Sequence, residues 1–320
     1  MLFRSASDAL GVSRLTFLDR GAQMEKEYLR WFPSFNASYN VRENLIARAS
    51  WSTSVGRPNF NQYAGGVSVP DPENPSPADQ ITVSNVGIKP WSAQSINVRL
   101  EYYLRGVGQF TVGAFRRDFE NFFGSTTLTS TPEFLENYGL DPNVYGQYPV
   151  VTQYNLDTTV RMQGLTVNYR QPLTFLPQWA RGITVFANGN AQRLLGTASS
   201  ANFPAFIPRT ANWGFSLNRG KYNLRANWNY RSLQRRAAIN STATNGIEPG
   251  TYTWWSKRLY IDVNAEYLFY RRLALFASLR NVGDAPDDIK VYGPSTPAVA
   301  RFRQRIEFGS LWMFGVKGTF

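Results

Sequence analysis

The chain contains no cysteine and no histidine among its 320 residues, and these two absences exclude most enzyme chemistry. Without cysteine there is no disulfide, no thiol nucleophile and no cysteine-ligated zinc or iron–sulfur site. Without histidine there is no imidazole base, no Ser-His-Asp triad and no ordinary zinc or haem site. We therefore expect a protein that is not an enzyme and that holds no metal and no cofactor.

Long hydrophobic runs are also missing. No stretch approaches the roughly 18 apolar residues that a membrane-spanning helix requires. The N-terminal segment carries an early Arg4 but no apolar core, so it does not match a signal peptide. Aromatic residues nevertheless make up 15% of the chain, which excludes a disordered protein.

Charge is sparse and mostly positive, with 34 Lys and Arg against 22 Asp and Glu. The basic residues are scattered along the whole chain and alternate with apolar ones. The longest basic clusters are the pairs Arg235-Arg236 and Arg271-Arg272. A nucleic-acid-binding protein concentrates its positive charge on one face or in a tail. We therefore expect no nucleic acid partner.

The dominant feature is an alternation of polar and apolar residues with a period of two. Between Lys221 and Arg231 the odd positions are all polar and the even positions are all apolar. Such a segment forms a strand with one polar and one apolar face, because successive side chains point to opposite sides. Eleven strands are predicted, at 35–41, 45–55, 96–104, 110–119, 161–169, 183–192, 211–218, 221–231, 259–270, 273–281 and 306–320.

Many of these strands are about ten residues long, the length that crosses a bilayer at a tilt. Very short connections alternate with long ones at 56–90, 124–156, 197–208, 236–254 and 284–300, which we interpret as loops without hidden helices. Tyr222 and Tyr230 lie near the two ends of one apolar face, as aromatic girdles do. The pattern predicts an all-β, transmembrane antiparallel β-barrel in the outer membrane.

An odd number of strands does not close a bacterial barrel whose two termini are both periplasmic. With a periplasmic C-terminus, the first predicted strand runs inward from outside the cell. We expect residues 1–30 to be an extracellular-loop remnant or a non-native start, and 31–320 to be a barrel portion. A twelfth strand within the first thirty residues is the alternative.

Four segments resemble the C-terminal half of the barrel of TonB-dependent outer-membrane receptors. The first runs from Trp31 to Asn36 and continues through 45–58, ending in Arg57-Pro58. The second is 85–103, with Lys89-Pro90 and Glu101 at motif positions. The others are Asn281 to Asp284 and the terminal aromatic Phe320, an assembly signal. Val86-Gly87, Trp91 and Gly318 depart from the family pattern.

The resemblance implies a barrel of about 22 strands filled by an N-terminal plug. The intact protein would import a scarce, bulky ligand (a siderophore, cobalamin or an oligosaccharide) with energy delivered by TonB. It also implies three kinds of partner: outer-membrane lipid, the barrel-assembly machinery, and TonB, reached only through a plug that this chain lacks. The other hypotheses are a smaller, self-contained barrel acting as a passive pore, and a soluble all-β binding protein.

Two groups of residues are candidates for ligand contact. Tyr252, Trp254 and Trp255, near the end of a long loop, could stack on a sugar or an aromatic siderophore, or form an interfacial girdle. Arg225 and Arg231 lie on a predicted polar face together with Asn227 and Asn229. They could contact an anionic ligand or hydrogen-bond the plug.

Overall fold

The computed structural model describes residues 29–60, 65–75, 79–104, 107–178, 181–196, 203, 206–239, 247–248 and 250–318. Strands dominate this part of the chain, and no helix in it is long and apolar enough to cross a membrane. The strands are β1 (Ser34–Arg42), β2 (Leu45–Gly56), β3 (Val67–Ser68), β4 (Ile81–Val83), β5 (Trp91–Leu104), β6 (Gly108–Glu120), β7 (Phe123–Leu128), β8 (Val150–Asn155), β9 (Val160–Pro172), β10 (Ile183–Leu195), β11 (Arg209–Arg219), β12 (Tyr222–Arg231), β13 (Gln234–Ala238), β14 (Tyr252–Trp255), β15 (Arg258–Tyr270), β16 (Leu273–Arg280), β17 (Asp287–Tyr292), β18 (Phe302–Ile306) and β19 (Leu311–Gly318). The helices are α1 (Pro132–Asn137) and α2 (Pro142–Tyr145), and a 3-10 turn spans Ala298–Ala300.

Eleven of the strands form one large antiparallel sheet in the order β1-β2-β5-β6-β9-β10-β11-β12-β15-β16-β19. Each of the eleven predicted strands overlaps one of these, so the prediction of eleven long strands is confirmed. Strands β1 and β19 form the two edges of the sheet within the described residues.

The register of the sheet aligns the alternation of neighbouring strands into two continuous faces. On the apolar face Leu100 pairs with Val112, which in turn pairs with Val167. These three side chains are exposed, at 46%, 36% and 39%. On the polar face Asn188 pairs with Asn212, which in turn pairs with Asn229. A one-residue slip of any strand would mix the two faces, so the patterning specifies the register.

Glycines on the polar face lie opposite aromatic rings. At each of four positions a Cβ added to the glycine would come within 3 Å of the ring of the residue directly across the strand pair. Because glycine has no side chain, the ring folds down over the neighbouring backbone and fills the space. The four pairs are Gly56 with Trp91, Gly164 with Phe115, Gly214 with Phe186, and Gly315 with Phe276.

The long connections carry secondary structure of their own, so the prediction that they lack helices is wrong. Strands β3-β4-β8-β7 form a second sheet and β13-β14-β17-β18 a third. Helix α1 begins after Thr131, whose hydroxyl accepts from the Phe134 N–H at 3.3 Å. Helix α2 begins after Asp141, which accepts from the Asn143 N–H at 2.9 Å. A polar capping residue followed by proline at the first helical position is a recognised signal for the start of a helix. The loop-like composition of the surrounding sequence led instead to the prediction of a loop.

A small hydrophobic core explains why the second sheet and the two helices are stable. Its buried members come from the second sheet, from α1 and α2 and from the adjoining turns. Short strands and helices cannot persist alone in water, but burying a shared apolar surface stabilises them together. The core consists of Val67, Ile81, Leu135, Leu140, Tyr145, Tyr148 and Val150.

The last strand is shorter than the sequence predicts. Ile306 ends β18 in the third sheet, where it pairs with Asp287, and β19 begins only at Leu311. Gly309 lies between them with φ at +67°, a left-handed conformation that breaks the extended chain. The alternation continues across this break, and for that reason two strands resembled one.

Candidate ligand-binding surface

The third sheet carries the predicted aromatic residues on β14. Trp255 pairs with Gln234 and Ile289, whereas Tyr252 pairs with Ala238 and Tyr292. Because side chains alternate along a strand, Tyr252 and Trp254 share one face and Trp255 lies on the other. The structure therefore does not bring the three rings together as a single stacking platform.

The face of β14 that carries Tyr252 and Trp254 is occupied by other side chains. The Arg235 guanidinium lies 4.8 Å from the centre of the Tyr252 ring. Trp254 makes an edge-to-face contact with Tyr292, with 5.9 Å between ring centres. The indole N–H of Trp254 is buried and has no hydrogen-bond partner among the described residues. These rings pack within the third sheet.

Trp255 lies between two arginines, on the other face of β14. The guanidinium of Arg236 is 4.2 Å from the centre of its ring, and that of Arg231 is 4.8 Å from it. Both distances are within the range of cation–π attraction. Arg231 is the last residue of β12, so Trp255 connects the third sheet to the end of the polar face of the large sheet.

A third arginine and an aspartate complete this surface. Arg258 lies directly across from Arg231 in the register of β12 and β15. Like charges so placed repel, and Asp287 relieves the repulsion by pairing with both. Its Oδ1 is 3.6 Å from Arg231 Nη2, and its Oδ2 accepts a short hydrogen bond from Arg258. Tyr260 donates to Asp287 Oδ2 at 3.4 Å.

We call Arg231, Arg236, Trp255, Arg258, Tyr260 and Asp287 the Arg231 cluster. It contains three guanidinium groups and one carboxylate, and the side chains of Arg231 and Asp287 are only 12% and 11% exposed. Within the described ranges, Nε and Nη2 of Arg231 are buried and have no hydrogen-bond partner, although Nη2 keeps its 3.6 Å ion pair with Asp287. A guanidinium with unused donors, next to an aromatic ring, suits the recognition of a carboxylate, phosphate or phenolate.

Four members of the Arg231 cluster are not among the candidates that the sequence predicts. Arg258 and Tyr260 lie beside or in a predicted strand, where alternation gives no indication of function, and Arg236 begins the predicted long connection 236–254. Asp287 lies in the long connection 284–300, where a solvated charge is the default interpretation. Only the pairing of β14 with β17, and of β12 with β15, places these residues together.

Arg225 lies on the same polar face as Arg231 but apart from it. The two are six positions apart along the strand, or about 20 Å. Arg225 contacts the ring of Phe186 at 5.5 Å and lines a cleft of about 400 Å³. The remaining lining is mostly polar: Gln109, Thr111, Asn168, Thr184, Asn188 and Ser216. The predicted polar row of β12 is therefore present, with Arg225 and Arg231 in two separate environments.

Among the motif residues, Glu101 is the one buried acid on the wall of the large sheet, at 5% exposure among the described residues. Its Oε1 is 3.2 Å from Arg48 Nε and 2.8 Å from Arg99 Nε. Tyr103 donates to its other oxygen at 3.0 Å. Glu101 thus ties β2 to β5 on the polar face and balances two arginines, which is a structural arrangement.

Asn281 organises the turn after β16. Its φ is +50°, a region that asparagine tolerates better than most residues. The Asn281 amide donates to the carbonyls of Ala285 at 3.2 Å and Gly309 at 3.1 Å. Its backbone N–H donates to Asp262 Oδ1 at 3.0 Å. Asp284 closes the same turn by donating its N–H to the Asn281 carbonyl at 2.9 Å.

The remaining motif residues also lie at strand ends. The Lys89 N–H donates to Asn155 Oδ1 at 2.7 Å, and Pro90, which is buried, immediately precedes β5. Arg57 is exposed and Pro58 is buried just after β2. Phe320, the predicted assembly signal, and residues 1–28 lie outside the described residues.

The TonB dependent receptor-like, beta-barrel family matches residues 8–282 of the sequence, which is most of the chain. The chain belongs to this family. The family assignment confirms the resemblance and the all-β barrel fold, and the soluble binding-protein hypothesis is wrong. Barrels of this family reside in the outer membrane and belong to receptors and transporters, as expected for a chain that is not an enzyme.

Solved receptor structures share the fold. The ferric enterobactin receptor PfeA of Pseudomonas aeruginosa, in complex with BCV-L6, is 15% identical with a TM-score of 0.62, covering 91% of this chain and 41% of that one. The copper transporter OprC is 13% identical with a TM-score of 0.57, covering 90% and 39%. The ferric citrate transporter FecA, in the unliganded form, is 15% identical with a TM-score of 0.52, covering 89% and 37%.

At these identities the likeness shows the fold alone. The chain spans about two fifths of the length of each of these receptors. None of the curated proteins matches the sequence.

Proposed function

We propose that this chain forms part of the wall of an outer-membrane receptor that imports a scarce, bulky, anionic ligand with energy delivered by TonB. The observation that carries the proposal is the Arg231 cluster, a buried guanidinium with unused donors beside an indole ring. The solved relatives named as receptors for ferric enterobactin and transporters of ferric citrate support a chelated metal as cargo.

The charge and burial of the cluster favour an anionic ligand over a neutral sugar. Three guanidiniums face a single carboxylate, so the cluster keeps an excess of positive charge at neutral pH. Low exposure strengthens each charge-assisted hydrogen bond, because less water competes for the donors. Trp255 adds a flat apolar surface on which a phenolate or catecholate ring can stack.

In this proposal the long connections lie outside the cell, and the C-terminus is periplasmic. The apolar face contacts outer-membrane lipid, and the polar face lines the interior. Arg225 and its polar neighbours then hydrogen-bond a plug, through which TonB acts. Phe320 serves the barrel-assembly machinery. The Arg231 cluster occupies the end of the polar face where an arriving ligand is met first.

Uptake by the intact receptor tests the proposal. Iron-limited cells that depend on it for iron are supplied with ferric citrate or ferric enterobactin as anionic probes, and cobalamin uptake is measured as the comparison. Arg231→Gln and Trp255→Leu should each raise the concentration needed for half-maximal uptake of the transported chelate by roughly tenfold or more. Surface abundance of each variant is measured in parallel.

Lys257→Gln is the matched control, because it removes one positive charge two residues from Trp255 at an exposed position. It should leave uptake unchanged. Equal uptake by the Arg231→Gln variant and the parent would contradict the proposed site. Uptake of cobalamin but of neither chelate would contradict an anionic cargo.

A further inference from the structure

A second group of arginines lies on the apolar face of the large sheet, on the side opposite the Arg231 cluster. Arg116 on β6 pairs with Gln163 on β9, which in turn pairs with Arg193 on β10. Their neighbours along the strands, Ala114 and Leu165, belong to the apolar face, so these arginines point the same way. All three strands lead here into or out of long connections.

Two more arginines extend the group. Arg161 pairs with Asp118, which lies two residues beyond Arg116 toward the long connections. Arg209 pairs with Ala191, which lies two residues from Arg193 in the opposite direction. We call Arg116, Arg161, Arg193 and Arg209 the rim arginines. They span β6, β9, β10 and β11, which is a width of about 15 Å at the usual strand spacing.

Their charge is only partly compensated. Asp118 pairs with Arg116 at 2.6 Å and with Arg161 at 2.7 Å, and Glu120 is an exposed acid near the same edge. Arg193 donates to Gln163 at 2.8 and 3.1 Å in the amide orientation that satisfies both groups. Neither Arg193 nor Arg209 has an ion pair with any described residue, and both are exposed.

An apolar groove of about 590 Å³ adjoins the rim arginines on the same face. Its floor consists of Val98, Ala114, Leu165 and Ala191, and its upper wall includes Arg116, Arg193 and Arg209. Val98 and Leu165 are exposed, at 48% and 58%. A groove of aliphatic side chains accepts an acyl chain, and guanidiniums at its mouth accept an anionic head group.

We infer that the rim arginines and this groove bind a phosphate-bearing, acylated lipid of the outer leaflet. The assignment rests on the proposed orientation, with the long connections outside and the apolar face in the bilayer. A phosphate then meets Arg193 and Arg209 at the level where the apolar face ends, while the acyl chains continue along Val98 and Leu165. A phosphate can pair with a guanidinium through two hydrogen bonds and neutralise the excess positive charge of the rim arginines. A neutral lipid would leave that charge without a counterion.

Native mass spectrometry of the intact receptor tests the inference. The protein is extracted in mild detergent, stripped of lipid and titrated with lipid A carrying two phosphates, with monophosphoryl lipid A and with phosphatidylcholine. We expect affinity to fall in that order. The double variant Arg193→Gln/Arg209→Gln should bind the doubly phosphorylated lipid roughly 25-fold more weakly, from about fivefold per arginine.

Two variants control for net charge and for folding. Lys221→Gln/Arg272→Gln removes the same charge at the short turns, at the far end of the sheet, and should bind as the parent does. Arg193→Lys/Arg209→Lys retains the charge and should keep most of the affinity. Circular dichroism establishes that each variant is folded. The experiment measures lipid binding directly and does not depend on ligand uptake.

Any one of four results would overturn the inference. The first is equal lipid A binding by the parent and the folded Arg193→Gln/Arg209→Gln variant. The second is equal binding of phosphatidylcholine and lipid A by the parent. The third is full displacement of lipid A by millimolar inorganic phosphate, which would show a simple anion site without a role for the groove. An extracted receptor that retains a bound protein at this face, and no lipid, would point to a protein partner instead.

Discussion

The ring of Phe276 on β16 lies directly over Gly315 on β19. The two residues are opposite each other in the register, and a Cβ at Gly315 would be 2.7 Å from Phe276 Cε1. No backbone atom lies as close, so the ring alone occupies the space above the glycine. A ring also lies within 3 Å of the Cβ position at Gly164, from Phe115, and at Gly214, from Phe186, although a backbone carbonyl oxygen is closer at both. These pairs pin neighbouring strands in one register.

Replacing Gly315 should therefore weaken the contact between the last two strands. Gly315→Val forces the Phe276 ring out of its position and should lower the free energy of unfolding by about 1–3 kcal/mol. Urea unfolding of the protein in lipid vesicles, followed by heat-dependent gel mobility, measures the loss. Gly189→Ala is the control, because a Cβ there meets only the Thr210 carbonyl oxygen, at 3.8 Å. Equal stability of Gly315→Val and the parent would show that the ring moves freely.

Glu101 offers a test of the polar face. Glu101→Gln keeps the shape of the side chain but removes the charge that balances Arg48 and Arg99. Because those two arginines are 42% and 52% exposed, water screens part of their repulsion. We expect a loss of about 1–3 kcal/mol in unfolding free energy, from the same urea measurement. Glu120→Gln, at an exposed position of β6, should change nothing measurable.

The third sheet should respond to acid through Asp288. Two hydrogen bonds from Arg305, at 2.7 and 3.1 Å, hold the pKa of this carboxyl below its ordinary value. A group whose pKa is lowered by folding stabilises the fold above its unfolded pKa, and this stabilisation is lost as the pH falls through the folded pKa. The pairing of β17 with β18 should therefore weaken on the acid side only.

The weakening of the pairing of β17 with β18 can be measured as a loss of hydrogen-exchange protection of their amides, corrected for intrinsic rates, between about pH 7 and about pH 3. Asp288→Asn should remove the acid-side step and lower protection at neutral pH. Asp284→Asn is the matched control in the same connection, because Asp284 is exposed. An Asp288→Asn variant that retains the acid-side step would assign the step to another carboxyl.

The period of two predicts every strand of the large sheet, because each strand has one face toward a polar and one toward an apolar environment. Polar and apolar residues therefore alternate along each strand, as they do from Lys221 to Arg231. The strands of the loop sheets are two to six residues long, too short for a period to be recognised. Those of the second sheet are stabilised by the core that they share with Leu135 and Tyr145, which depends on contacts distant in sequence.

The candidate site is only partly predictable for the same reason. Arg231 and Trp255 stand out in the sequence, one on a polar row and the other at the end of a long connection. That they lie 4.8 Å apart depends on how the third sheet meets β12. Asp287 is distant from both in sequence, and only the pairing of β14 with β17 places it beside Arg231. The opposite orientations of Trp254 and Trp255 follow from alternation once β14 is known.

The central claim is that the apolar face of the large sheet contacts lipid and the polar face contacts water, and strand β9 allows both to be tested directly. The chain has no cysteine, so single cysteines on β9 can each carry a spin label. In native outer membranes, labels at Leu165 and Val167 should be accessible to oxygen, and labels at Thr166 and Asn168 to a water-soluble nickel complex. Accessibility should thus alternate with a period of two. Equal access of the nickel complex to all four positions would contradict a membrane-facing apolar side.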